Sequence, residues 1–193
     1  MIELWKSFPK WVWVIAICNF SVLLFELKVI FPIERSISSH YPNIVSLMFL
    51  PHAVRVLSTV IIGPKVFFVL FPTTLITGYF LYESYAGGLS LPLIIDAFSA
   101  AICAPIAYLV VKWVNRNNPA FELSLRNWQM VALIGVIASV ANSIMRAGFL
   151  GHFESVSHVI DLVTKVIIGD MAGLAIGLLA LVFTFRLIRR GQI

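Results

Sequence analysis

The sequence predicts an all-α, polytopic transmembrane bundle of about six spans. Composition, the regular punctuation of apolar runs and the placement of basic residues all point to it. Of 193 residues, 60% are apolar and only 12% charged, and the mean hydropathy is +0.97. A soluble domain runs near 45–50% apolar and about 25% charged, so the apolar excess has to face lipid. This excludes a soluble enzyme, a disordered chain and a nucleic-acid binder. The formal net charge of +5 sits largely beside apolar segments, where membrane topology accounts for it. Cys18 and Cys103 lie inside apolar segments and suggest neither a disulfide framework nor a cysteine metal site.

A spanning helix needs roughly 20 mostly apolar residues to cross a core of ~30 Å. Six segments meet that length, at about 11–32, 44–62, 65–83, 91–113, 128–150 and 158–185. Breakers separate them: Pro32, Pro42, Gly63-Pro64, Gly87-Gly88, Asn117-Asn118-Pro119 and Gly148/Gly151. The first segment is too long for a cleavable signal peptide, and no small-residue cleavage site precedes Glu26, Lys28, Glu34 and Arg35. Gly63-Pro64-Lys65 leaves a connection of two or three residues, which makes spans 2 and 3 a tight antiparallel hairpin.

The positive-inside rule gives the orientation. With a cytoplasmic N-terminus, the inner side receives Lys6, Lys10, Lys65, Lys112, Arg116, Arg126, Arg186, Arg189 and Arg190, whereas the outer connections contain only Arg35. Trp5, Trp11, Trp13, Trp113 and Trp128 fall at the same inner interface. Both termini are expected to be cytoplasmic. The longest connection, 114–127, is about fourteen residues, whereas a soluble catalytic domain needs roughly 50 or more.

Ionisable groups at membrane depth are expensive unless paired or hydrated, so each is a functional candidate. These intramembrane candidates are His52 and Arg55 in span 2, Asp96 in span 4, Asn142 and Arg146 in span 5, and Asp161, Lys165 and Asp170 in span 6. Matched depth predicts an ion pair of Arg55 with Asp170, and of Arg146 with Asp96 or Asp161. Asp161 and Lys165 can also pair along one helix face. Such pairs either fix helix register, form a ligand or ion site, or face a partner.

Gly169, Gly173 and Gly177 recur every four residues in span 6, a stripe that lets helix backbones approach closely. Packing within the chain is the expected use. Span 4 carries a similar set in Ala97, Ala100, Ala101 and Ala104, followed by a kink at Pro105. Among the histidines, only His52 lies well inside a span; His158 begins span 6, and His40 and His152 lie in outer connections. No His-x3-His spacing occurs, so no haem, metal or other cofactor is expected. There is no Walker loop, metalloprotease motif or Gly-x-Ser-x-Gly, and no catalysis is expected.

Two stretches carry a family resemblance. One runs Phe49-Leu50-Pro51-His52-Ala53-Val54-Arg55-Val56-Leu57, with Ile61-Ile62-Gly63-Pro64-Lys65 after it. The other is Ile168-Gly169-Asp170-Met171-Ala172-Gly173-Leu174. Together they resemble the first type of bacterial membrane-associated sensor domain, over about residues 44–185. Ala53 stands where that family usually has Gly. The resemblance implies functional positions at Pro51, Arg55, Gly63, Asp170 and Gly173, a sensory or docking role, and a place in the bacterial inner membrane. Members are usually fused to a cyclase or kinase output domain. This chain stops at Ile193, so it is expected to act through another integral membrane protein, as one subunit of a hetero-oligomer. The run from Arg186 to Arg190 reads as a topology anchor, with contact to anionic lipid as the alternative use. The alternatives are the small-molecule-binding subunit of a vitamin-type importer, with Asp96, Asn142, Arg146 and Asp161 at its site, and a ligand sensor that signals through a separate protein.

Overall fold

The computed structural model describes residues 9–37, 46–81, 89–118, 123–125, 127–150 and 156–190. Among these the secondary structure is entirely helical. Helix α1 (Lys10–Phe25) runs through a π-helical turn (Glu26–Ile30) into α2 (Phe31–Ile37) as one rod. The others are α3 (Leu50–Ile62), α4 (Phe67–Leu81), α5 (Leu91–Val114), α6 (Trp128–Leu150) and α7 (Val156–Arg190). Four stretches are long and apolar enough to cross a membrane: Lys10–Glu34, Leu91–Val114, Trp128–Arg146 and Val163–Leu187. Two more, Leu50–Ile62 and Pro64–Phe80, are apolar but shorter.

Local chemistry accounts for the boundaries. Ser90 caps α5, its hydroxyl accepting from the Leu93 amide at 3.4 Å, with Pro92 in the first turn where no amide donor is needed. Gly63 adopts φ +92° to end α3, and Pro64 opens a 3-10 turn (Pro64–Val66) that leads into α4. A residue with a Cβ is strained at that φ, which is why glycine stands at this hairpin.

The largest departure from expectation is span 2. Residues 44 and 45 of the expected span lie outside the described residues, Ser46–Phe49 is non-helical, and α3 starts at Leu50. Its 13 residues extend only about 20 Å, short of a full crossing. Pro51 sits in the first turn of α3, where no amide donor is needed, and amides in and beside the irregular segment find acceptors in distant parts of the chain. Leu47 donates to Glu34 Oε1 at 2.9 Å, Leu50 to Glu26 Oε2 at 3.3 Å, and Phe49 to the Gly169 carbonyl at 2.9 Å. Irregular backbone at membrane depth is tolerated only when buried in protein and hydrogen-bonded in this way.

Helix α3 lies at the centre, packed against α1, α5, α6 and α7. It buries Pro51, His52, Ala53, Arg55, Val56, Leu57, Ser58, Thr59 and Val60. The main core joins Val56, Leu57 and Val60 to Cys103, Ala104 and Ala107 of α5, Val131, Ile134 and Ala138 of α6, and Leu174 of α7. A second cluster joins Ile15 of α1 to Val66, Val69, Leu70 and Ala101.

The glycine stripe of α7 packs within the chain. A Cβ on Gly169 would strike the Ser46 carbonyl, one on Gly173 the Phe49 carbonyl, and one on Gly177 the Ala53 side chain. This register makes α3 and α7 parallel. Helices α1 and α4 are also parallel, since Trp11 meets Lys65 while Asn19 meets Thr73 and Thr74. Trp5, Lys6, His40, Arg126 and His152 lie outside the described residues.

Candidate functional site

The break before α3 gathers charged groups from three parts of the chain. Glu26 comes from the π-helical turn, a local widening that often marks functional sites. It is fully buried, and its Oε1 makes no hydrogen bond to a described residue. Glu34, two turns further along the rod, accepts from both the Leu47 amide and the Ser46 hydroxyl at 2.9 Å. The two carboxylates thus sit at the N-terminus of α3, where its unpaired amides and dipole favour negative charge.

His52, in the first turn of α3, is nearly inaccessible. Its Nε2 lies 3.1 Å from the Gly135 carbonyl of α6 and its Nδ1 lies 3.4 Å from Asp170 Oδ2 of α7. The carbonyl can only accept, so the imidazole presents Nε2–H to it. Nδ1 then faces the carboxylate. Asp170 Oδ2 makes no hydrogen bond to a described residue. The pair ties α3, α6 and α7 together through a single ring. Arg55 follows one turn later, buried, with its guanidinium carbon 5.4 Å from the centre of the Phe49 ring.

Asp170 was expected to pair with Arg55; spans 2 and 6 meet at this carboxylate, with His52 at ion-pair distance from it. Arg146 pairs with Asp96 at 2.7 Å, joining α6 to α5. Asp161 pairs with Lys165 at 2.6 Å along the partly exposed face of α7. Asn142 is buried on α6 between these regions, and its Oδ1 makes no hydrogen bond to a described residue. The eight polar candidates thus separate into a buried centre (His52, Arg55, Asp170), a half-buried pair (Asp96, Arg146), an exposed pair (Asp161, Lys165) and Asn142. The glycines at 169, 173 and 177 hold the centre together.

Glu26, Glu34 and Ser46 are the site residues that sequence reasoning missed. Glu26 falls inside the first expected span, 11–32, where it entered only the argument against a cleavable signal peptide. The available signal was its position within a run that continues past it to Ile33. Among the described residues, no three His, Cys, Asp or Glu side chains are grouped to hold a metal ion. No family model, curated protein or solved structure matches the chain.

Proposed function

We propose that the chain is a non-catalytic, multi-pass membrane subunit of the sensory or docking kind, acting through another integral membrane protein. In this reading it crosses a bacterial inner membrane six times, with both ends cytoplasmic, and the non-helical Ser46–Phe49 adds the length that α3 alone lacks for the second crossing. The parallel pairs α1/α4 and α3/α7 support the topology, because first and third spans, and second and sixth, share a direction in an alternating bundle. The contact between Trp11 and Lys65, 5.5 Å from ring centre to ammonium, puts two expected inner-face residues at one end.

The observation that carries the role is α7. Its 35 residues extend roughly 52 Å, longer than the ~40–45 Å of a bilayer with headgroups. One part of the helix contributes Gly169 and Asp170 to the buried centre, and the far part bears Arg186 and Arg189. Any rearrangement around His52–Asp170 is therefore transmitted along one continuous rod. A second face of α7, with Ile168, Ile176, Leu179, Phe183 and Leu187 exposed, is available to lipid or to a partner. The likeness to membrane sensor domains gives weight to the same seam. Pro51 and Arg55 lie on α3, Gly63 closes it, and Asp170 and Gly173 lie opposite on α7.

The test is purification from native membranes in mild detergent, with a photocrosslinker at Leu179 or Phe183 and mass spectrometry of what is retained. A membrane protein crosslinked at both positions and retained at fixed stoichiometry is the expected result. Crosslinks to lipid alone, with a small molecule co-purifying, would replace this reading by a small-molecule receptor or importer subunit.

A further inference from the structure

We propose that the face of α6 bearing Gly135, Ser139, Asn142 and Arg146 is a hydrated path that brings water and protons from the Arg146–Asp96 pair to the His52–Asp170 pair. This goes beyond the docking role and stands without it.

The spacing of four, three and four residues places these positions on one narrow stripe of the helix, about 16 Å long from end to end. Each end is a charged pair. Arg146 and Asp96 keep 31% and 19% of their side chains accessible, so the stripe opens there. At the other end the Gly135 carbonyl holds the His52 ring, and Asp170 of α7, Arg55 of α3 and Glu26 of the π-helical turn are the charged groups around that centre.

Ser139 decides what lies between. Ser58, Thr59, Thr73, Thr77, Ser143, Thr164 and Thr184 each fold back and donate to the carbonyl four residues earlier. For Ser139 that carbonyl is Gly135, already engaged by His52. The Ser139 hydroxyl is fully buried and makes no hydrogen bond to a described residue. One turn on, Asn142 Oδ1 is in the same condition. A buried polar atom left unbonded costs on the order of 1–3 kcal/mol, and proteins meet such atoms with ordered water. Two of them in succession, on the stripe joining two charged pairs, are spaced as water sites. Helix α5 meets this region through small side chains: Cys103 and Ala104 share the core with Ala138, and Cys103 Sγ lies 3.7 Å from Met145 Sδ. Hydration reaching His52 would let the ring's exchangeable N–H proton trade with bulk water.

Thiol reactivity reads this directly, because a thiol ionises and reacts only where water reaches it. In a Cys18→Ala/Cys103→Ala background, single variants Ser139→Cys, Asn142→Cys, Ala138→Cys and Ile144→Cys are placed in sealed vesicles. Silver ion is applied from one side, and the remaining thiol is counted after denaturation. Cysteines at 139 and 142 are expected to react at least about tenfold faster than those at 138 and 144 when silver enters from the Arg146 side. Equal rates at all four positions, reaction only from the opposite side, or reaction at 142 without 139 would each overturn the path. A second measurement uses the unaltered chain. The ring nitrogen signal of His52, identified as the one lost in His52→Gln, should exchange its proton with D2O as readily as an exposed histidine. Persistence of the protonated signal would overturn the proposal independently.

Discussion

Two helix seams in this molecule solve the same problem by different chemistry. Lipid tails are as apolar as leucine, so helices in a membrane gain little from hiding apolar surface and must associate through close packing and polar contacts. The α1–α4 seam does so with neutral groups. Asn19 donates to Thr73 and Thr74 at 2.9 and 3.3 Å, and Ile15 shares a buried cluster with Val69 and Leu70. The α3–α7 seam instead brings backbone against backbone at Gly169 and Gly173 and adds the His52–Asp170 pair. Side chains can rotate to absorb a change, whereas a carbonyl fixed in the chain cannot. The first seam should therefore degrade by degrees and the second should fail abruptly.

The sharpest way to break that comparison is a single methyl group. Gly169→Ala and Gly173→Ala each drive a Cβ into a backbone carbonyl, and each is expected to destabilise by more than about 4 kcal/mol, the range of severe single substitutions. Absence of a folded peak in size-exclusion chromatography would show it. Gly177→Ala meets the Ala53 side chain instead, so its thermal midpoint in detergent should fall less. Wild-type stability in Gly169→Ala would dissolve the contrast between the seams. Next in size is Asp170→Ala, which leaves His52 facing the gap. Removing one partner of a buried pair costs roughly 3–5 kcal/mol. Adding His52→Gln should return part of that loss in a double-mutant cycle.

The sequence made the α3–α7 seam partly legible. Glycines at 169, 173 and 177 announced a close approach, and Asp170 announced a partner on span 2, because both signals are periodic or rare in an apolar run. What hydropathy could not announce was the irregular segment Ser46–Phe49. Ser46 and Leu47 are as compatible with a helix as their neighbours, and only Pro51 hinted at a late start. Glu34 and Gly169, distant in sequence, take up amides of the segment, and Glu26 accepts from Leu50 just after it. The half-span α3 and the role of Glu26 are thus one non-local fact. By contrast, α5 and α6 begin where expected, since Ser90, Pro92 and Trp128 mark their boundaries locally. Depth narrowed the partner of Arg146 to Asp96 or Asp161, whereas the unbonded Ser139 hydroxyl depends on a histidine 87 positions earlier and left no local mark.

The smaller effects sharpen the comparison from the other side. Glu26→Leu removes one of two acceptors of the Leu50 amide, which keeps the Met48 carbonyl at 3.1 Å, so the cost should stay near about 1 kcal/mol. Glu26→Gln keeps an acceptor oxygen and should melt close to wild type, which separates the hydrogen bond from the charge. Asn19→Leu on the α1–α4 seam should cost least. Interhelical polar contacts in membranes average about 0.6 kcal/mol. Here Thr73 retains its bond to the Val69 carbonyl, and the Asn19 oxygen makes no hydrogen bond to a described residue, so its loss offsets part of the cost. The expected result in detergent is a fall in thermal midpoint of only a few degrees. A fall as large as that of Asp170→Ala would mean that the neutral seam is as brittle as the charged one. The difference between them would then lie in burial rather than in backbone contact and charge.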